Sequence, residues 1–212
     1  MSKFTVKFFS FFLFISIIGC SIKNNMQVLD IKDNALIKSL YLNDVEIRKL
    51  DAKTDTVNLE NYDKIHREQI FQLLAENKVL TSKDKIRAAW ILQHTAAKLC
   101  EGELTSISPE NFLLAYKLSS AALSQLEKEK DTLTIRQENI PRIVALNYDR
   151  YLLFTFGYQK FGTQFVFDDK TGEMLLAPID TTLANDEERK KHNVEPLNVL
   201  LNKYKIKTIT DH

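Results

Sequence analysis

The sequence predicts a single, mainly α-helical α+β domain with a C-terminal β-hairpin and short terminal helices. Three observations support this fold class. Long stretches between residues 37 and 157 repeat apolar residues every three or four positions, as amphipathic helices do. Glycine and proline, which punctuate many-turned β-folds, number only 5 and 4 in 212 residues. Beyond residue 160 the pattern changes to an alternation of apolar and polar residues around a turn signal.

The first 20 residues, MSKFTVKFFSFFLFISIIGC, have the parts of a bacterial lipoprotein signal. Two lysines precede an apolar run from Phe8 to Ile18, and its roughly 11 residues are fewer than the ~18 of a membrane-spanning helix. The run ends in IIGC, which resembles the lipobox that directs lipid attachment to a cysteine. We therefore expect removal of residues 1–19. Cys20 would carry a diacylglyceryl group on sulfur and an acyl chain such as palmitate on its new amine. The alternative is a plain secretory signal with a chance cysteine.

This N-terminus predicts a cell-envelope location, with the lipid bilayer as a partner. Ser21 follows the cysteine, and in Gram-negative bacteria this resembles lipoproteins sent to the periplasmic side of the outer membrane. The polar residues 20–36 are interpreted as a membrane tether, 37–207 as one globular domain and 208–212 as a tail. An envelope protein or a small polar ligand is a further possible partner.

Composition argues against nucleic acid as a partner and against an internal disulfide. The net charge is +1, and lysines alternate with acids, as in EKEKD, instead of forming one basic face. With lipid on Cys20, Cys100 has no partner in the chain and is expected to be a small buried hydrophobe.

Two amphipathic patterns predict the first helices. The segment LIKSLYLNDVEIRKLDA predicts a helix in one or two pieces. The segment LENYDKIHREQIFQLLAENKVL has an expected apolar face made of Tyr62, Ile65, Ile70, Leu73 and Leu74.

The segment SKDKIRAAWILQHTAAKLC, residues 82–100, predicts a helix capped by Thr81 or Ser82. Its apolar residues surround the axis, so we expect the helix to be buried. Gln93 and His94 should then lie inside the domain or line a cleft in it.

The second half of the chain predicts two more long helices and the hairpin. Ser108-Pro109 begins one helix, and a second runs from a cap at Asn139 to a stop at Gly157. TQFVF, DDKTG and EMLLAPI then predict a hairpin over about 161–179, with DDKTG as its turn. The tail predicts two short helices, the first ended by Asn193 in a left-handed conformation.

Several fragments together resemble an uncharacterised bacterial family, domain of unknown function 6624. The matching positions are Asp44, Arg48, Gln93, His94, Asp149, Arg150, Gln159, Gly162, Thr163, Gln164, Asp186, Arg189, Pro196 and Leu197. The chain departs from the family pattern at Val45, Phe161 and Asn193, where the family has Gln, Tyr and Gly. The resemblance spans nearly all of the expected domain. It implies no activity, because the family has none assigned.

These observations suggest a polar site whose candidate residues are Gln93, His94, Asp149, Arg150, Gln159, Gly162, Thr163 and Gln164. His94 could act as a general base oriented by Asp149, since an imidazole exchanges protons near neutral pH. Arg150 could hold a carboxylate or phosphate, and the glycine-flanked segment could hydrogen-bond a polar ligand.

The alternative is a purely structural network. Asp149 and Arg150 would then form an internal ion pair that ties their helix to the hairpin, and Gly162 would allow a tight bend.

Two function classes follow from the sequence. The first is a membrane-anchored binding or interaction module of the envelope, and the alternative is a small envelope hydrolase that uses His94 with Asp149 and Arg150. No nucleotide-binding or serine-hydrolase motif is present, and no cofactor is expected. The four histidines lack metal-ligand spacing, although a folded cluster of histidine with Asp or Glu stays open.

Overall fold

The computed structural model describes residues 31–54, 57–95 and 108–207, all of which belong to one compact unit beginning at Ile31. The expected signal peptide and the two cysteines lie outside these residues. The expected tether and domain meet at residue 37, but Asn34 already donates its backbone N–H to Asp84 over 2.9 Å.

The described chain folds into eight helices and one two-stranded sheet. Their bounds are α1 Ala35–Thr54, α2 Leu59–Ala75, α3 Ser82–Gln93, α4 Glu110–Glu129, α5 Thr132–Gln137, α6 Ile140–Phe156, β1 Phe165–Asp168, β2 Glu173–Leu176, α7 Asp186–Lys191 and α8 Leu197–Lys203. The predicted fold class, a mainly helical α+β domain, is confirmed. Only α5 had no counterpart in the prediction.

Helix α3 lies at the centre of the helical body and packs against α1, α2 and α4, while α4 also packs against α6. Ala88 and Ala89 are fully buried, and their small side chains let the neighbouring helices approach α3 closely. Ile37, Ile70 and Leu92 fill the space between α1, α2 and α3. The prediction that α3 is buried is confirmed.

Side chains fix both ends of α3: neighbouring residues at its start and residues distant in sequence at its end. At its start Thr81 accepts from the backbone N–H of Asp84 and Asp84 accepts in return, which forms a capping box. At its end the carbonyls of Gln93 and His94 accept hydrogen bonds from Arg150 and Arg67.

The helix therefore ends at Gln93, and the prediction that it continues to Cys100 is wrong over His94 and Thr95. The guanidinium donors explain this early end. They satisfy the two backbone carbonyls, which would otherwise accept hydrogen bonds from N–H groups of a further helical turn.

Helix α2 buries the C-terminal part of its expected apolar face, Ile70, Leu73 and Leu74, but not the N-terminal part. Tyr62 and Ile65 are 41% and 44% exposed, whereas His66 and Arg67 are buried together with Ile70. His66 and Arg67 are buried because this side of α2 faces the end of α3. There Arg67 donates a hydrogen bond to the carbonyl of His94.

The predicted hairpin is confirmed, with shorter strands than expected. Phe165 pairs with Leu176 and Asp168 with Glu173 in an antiparallel register. Gly172 in the turn has φ +69°, and Asn193 after α7 has φ +52°, so both adopt the left-handed conformation. The two predicted tail helices are α7 and α8.

Candidate functional site

The predicted polar residues divide into two groups, and the first braces the hairpin. Asp149 on α6 is fully buried. Its carboxylate accepts from the backbone N–H groups of Lys160, Phe161 and Thr163 over 2.8, 2.8 and 2.9 Å. It also accepts from Thr163 Oγ1 over 2.8 Å. Burial raises the pKa of the Asp149 carboxyl, while these four hydrogen bonds oppose the shift.

Gln159 continues the same network into the sheet. Its Nε2 donates to the carbonyls of Gln164 and Ala177, both over 2.9 Å, and its Oε1 accepts from the backbone N–H of Gln164 over 2.8 Å. Gly162 is buried with φ +77° beside Leu200. Gln159, Gly162, Thr163 and Asp149 are therefore closed off within the fold, as the structural alternative expected.

Arg150 connects this group to the end of α3. Its Nε donates to Gln164 Oε1 over 3.1 Å and its Nη1 to the carbonyl of Gln93 over 2.6 Å. The expected Asp149–Arg150 ion pair does not form, because adjacent helical residues point in different directions and the Asp149 oxygens are already occupied.

The second group surrounds His94 and is partly exposed to solvent. We call Asp44, Arg48, Asp63 and His94 the His94 cluster. His94 Nδ1 lies 3.1 Å from Asp44 Oδ2 and 3.1 Å from Arg48 Nε. Arg48 Nη2 contacts Asp44 Oδ1 at 3.3 Å and Asp63 Oδ1 at 2.5 Å. Asp44 is buried, whereas the His94 side chain is 17% exposed and that of Arg48 29%.

The partner that orients His94 is thus Asp44, and the prediction of Asp149 in this role is wrong. The two contacts of Nδ1 require opposite tautomers, because one nitrogen cannot both donate to Asp44 and accept from Arg48. We assign the proton to Nδ1. This hydrogen bond offsets the cost of burying the Asp44 charge, and Arg48 keeps both aspartates as acceptors. The Nε2 of His94 is then the basic nitrogen.

Asp44 is held ionised by its neighbours. Burial alone would favour the neutral acid, but the imidazoles of His66 and His94 and the charge of Arg48 outweigh it. The pKa of the Asp44 carboxyl therefore lies well below its ordinary value. His66 Nδ1 lies 4.0 Å from Asp44 Oδ1, too far for a hydrogen bond, so His66 acts on the Asp44 carboxylate through space, and this buried nitrogen has no hydrogen-bond partner within the described ranges.

The His94 cluster also contains the atoms of a possible metal site. Asp44, Asp63 and His94 each offer a ligand atom, and the three atoms lie within 4.8 Å of one another. Arg48 contacts all three side chains, so its guanidinium supplies the positive charge that a metal ion would bring. A divalent ion would have to displace Arg48 against the charges of the nearby arginines.

Sequence reasoning found His94, Gln93 and Arg150 but missed the contribution of α2. Asp63, His66 and Arg67 stand at i, i+3 and i+4, so they share one face of a helix. Two of the three are buried in a face that also carries Ile70. The sequence signal for this site was that polar residues stand at positions where the helical spacing of the buried face would place apolar ones. Asp44 and Arg48 entered only through the family resemblance.

Comparison of the chain with protein-family models, with curated proteins and with solved structures found no match in any of the three. The resemblance to the uncharacterised family therefore stays a prediction. None of the helices in the described ranges is long and apolar enough to cross a membrane.

Proposed function

We propose that this chain is a lipid-anchored envelope protein whose domain binds a small polar ligand at the His94 cluster. The observation that carries the proposal is the Asp44–His94 pair: a buried carboxylate holds a partly exposed imidazole at 3.1 Å. A polar network that served folding alone would be closed, as the Asp149 network is. The His94 cluster instead presents His94 and Arg48 to solvent beside Arg150.

A ligand screen by thermal shift tests the proposal on the full chain purified in detergent. His94→Asn keeps an N–H donor for Asp44 but removes Nε2. The matched control is His192→Asn, because His192 Nδ1 also bonds one oxygen, the carbonyl of Glu188 at 2.9 Å, outside the cluster. Compounds that raise the Tm of wild type and His192→Asn but not of His94→Asn support the site. If every stabilising compound acts equally on all three proteins, the proposal fails.

A hydrolase is the second candidate, and the tautomer of His94 favours it. Asp44 accepts a hydrogen bond from Nδ1–H, which leaves Nε2 free to remove a proton from water. A positioned general base contributes about 10²–10⁴-fold to a rate. Chromogenic carboxylic and phosphoric esters are the first substrates to assay. Loss of about that factor in kcat for His94→Asn, with His192→Asn unchanged, supports hydrolysis, whereas equal rates exclude His94 as the base.

A further inference from the structure

We infer that Arg48 and Arg150, beside His94, form a binding site for an oxyanion, a ligand group of the phosphate or carboxylate type. The inference names the ligand class of the site proposed above and rests on that proposal.

Arg150 is a largely buried cation that lies over the face of the Phe112 ring, 5.9 Å from its centroid, and has no carboxylate partner among the described residues. Its two hydrogen-bond partners, the Gln93 carbonyl and the Gln164 amide oxygen, are both neutral. None of the ion pairs formed within the described ranges includes Arg150. Burial and the charge of Arg48 both lower the pKa of Arg150. Burying a cation without an opposite charge costs free energy, and a bound anion would remove that cost.

Arg48 brings a second guanidinium to the same place. Arg150 holds the carbonyl of Gln93, while Arg48 Nε lies 3.1 Å from Nδ1 of the next residue, His94. The two cations thus reach consecutive residues at the end of α3, where they repel each other. Arg48 is 29% exposed, so an anion can approach it from solvent.

Arg67 is a third arginine at the end of α3. It is 1% exposed, donates to the carbonyl of His94, and its Nε has no partner in the described part of the chain. Three arginines therefore surround two aspartates, and both aspartates already contact Arg48. Because Arg48 already contacts both aspartates, Arg150 is left without a carboxylate partner among the described residues, and it favours an anion over a metal cation as the ligand.

The donor geometry selects the chemical class. A guanidinium presents its N–H groups as a planar fork that matches two oxygens of a phosphate or a carboxylate. No hydrogen bond within the described residues uses Nη2 of Arg150, so this end of the fork is available to a ligand. Such a group could belong to a soluble metabolite or to a lipid headgroup.

Inorganic phosphate is the first probe, titrated by calorimetry into the full chain in non-ionic detergent at constant ionic strength. We expect saturable binding that sulfate competes away. Arg48→Gln and Arg150→Gln should each weaken it about tenfold or more, because each removes charged hydrogen bonds to the ligand. The control is Arg142→Gln: Arg142 also lies on α6 and also donates to a carbonyl, that of Asn193 at 3.2 Å.

Arg150→Lys is the second variant, for the event that Arg150→Gln does not fold. It keeps the positive charge but lacks the planar guanidinium that can bind two oxygens. Weaker binding in Arg150→Lys and unchanged binding in Arg142→Lys support the inference. Absence of binding to wild type overturns it, as does equal affinity in the Arg48, Arg150 and Arg142 variants. If a compound from the ligand screen requires His94 while phosphate, sulfate and acetate do not bind, the inference fails and the proposed ligand site stands.

A second arm identifies the source of the oxyanion. Glycerol phosphate represents a soluble phosphate ester, and phosphatidylglycerol vesicles represent a headgroup, with phosphatidylcholine vesicles as the zwitterionic reference. Displacement of phosphate by either one supports the inference and identifies the source. Displacement by neither overturns a phosphate ester or a phosphate headgroup as the source.

Discussion

At the scale of single residues, the buried aspartates Asp149 and Asp44 differ in what surrounds their carboxylates. Asp149 receives four hydrogen bonds from a segment of fixed backbone, and its oxygens have little capacity left. Asp44 instead faces two imidazoles and a guanidinium that reaches solvent. The first arrangement holds a loop in place, whereas the second orients the His94 imidazole.

Replacing Asp149 by Asn should destabilise the domain by about 2–4 kcal/mol. The amide NH₂ would face N–H donors, so at least one of the backbone groups of Lys160, Phe161 and Thr163 would lose its acceptor. Urea unfolding measures the change. The control is Asp180→Asn, because Asp180 accepts from Thr182 in an exposed turn and its loss should barely shift the midpoint. Equal midpoints for the two variants would contradict the bracing role.

Asp44 should make stability depend on pH in the acid range. Its folded-state pKa is lowered, so its ionised form stabilises the fold above the unfolded value of about 3.9. That contribution is lost as the pH falls from there toward the folded pKa. Urea unfolding of wild type and Asp44→Asn from pH 7 to pH 3 should therefore show a gap that is constant near neutrality and narrows below about pH 4. A gap that widens in acid would reverse the assigned sign.

At the scale of elements, the segment between α6 and β1 depends on Gly162. A Cβ at this position would lie 2.4 Å from Leu200 Cδ2 and 3.2 Å from Ile179 Cδ1, and φ is +77°. Gly162→Ala should cost on the order of 3 kcal/mol, through backbone strain and overpacking against α8. Gly172→Ala isolates the strain, because φ there is +69° and nothing lies within 4 Å of the added carbon. Urea midpoints that match between the two variants would show that the contact with α8 contributes nothing.

Elements whose pattern is local were predictable, and those set by distant partners were not. The hairpin, the Gly157 stop and the left-handed Asn193 follow from turn residues and glycine. The end of α3 does not, since it depends on arginines far away in sequence, such as Arg150, whose bond to Gln93 spans 57 positions. The periodicity of apolar residues identifies the buried face of a helix, but it does not identify which other element packs against that face.

At the scale of the whole molecule, the candidate site is assembled from four helices. Asp44 and Arg48 come from α1, Asp63 and Arg67 from α2, the end of α3 supplies His94, and α6 supplies Arg150. Sequence reasoning identified the histidine because a polar residue stood in an apolar helix. It chose the wrong aspartate because Asp44 stood out only as a position of the family pattern, and only the packing of α1 against α3 brings it beside His94.

The anchor that would place this site at a membrane is tested by Cys20→Ala. We expect wild type to incorporate labelled palmitate and to lose residues 1–19, since IIGC resembles a lipobox. Two or three acyl chains hold a protein firmly, as each buried CH₂ contributes about 0.8 kcal/mol. Cys20→Ala should take up no palmitate and keep its signal, as measured by labelling and by the mass of the N-terminal peptide. Cys100→Ala, which removes the other cysteine, should behave as wild type. Normal cleavage of Cys20→Ala would instead establish a plain secretory signal, and the ligand of the Arg48–Arg150 pair would then have to reach a soluble protein.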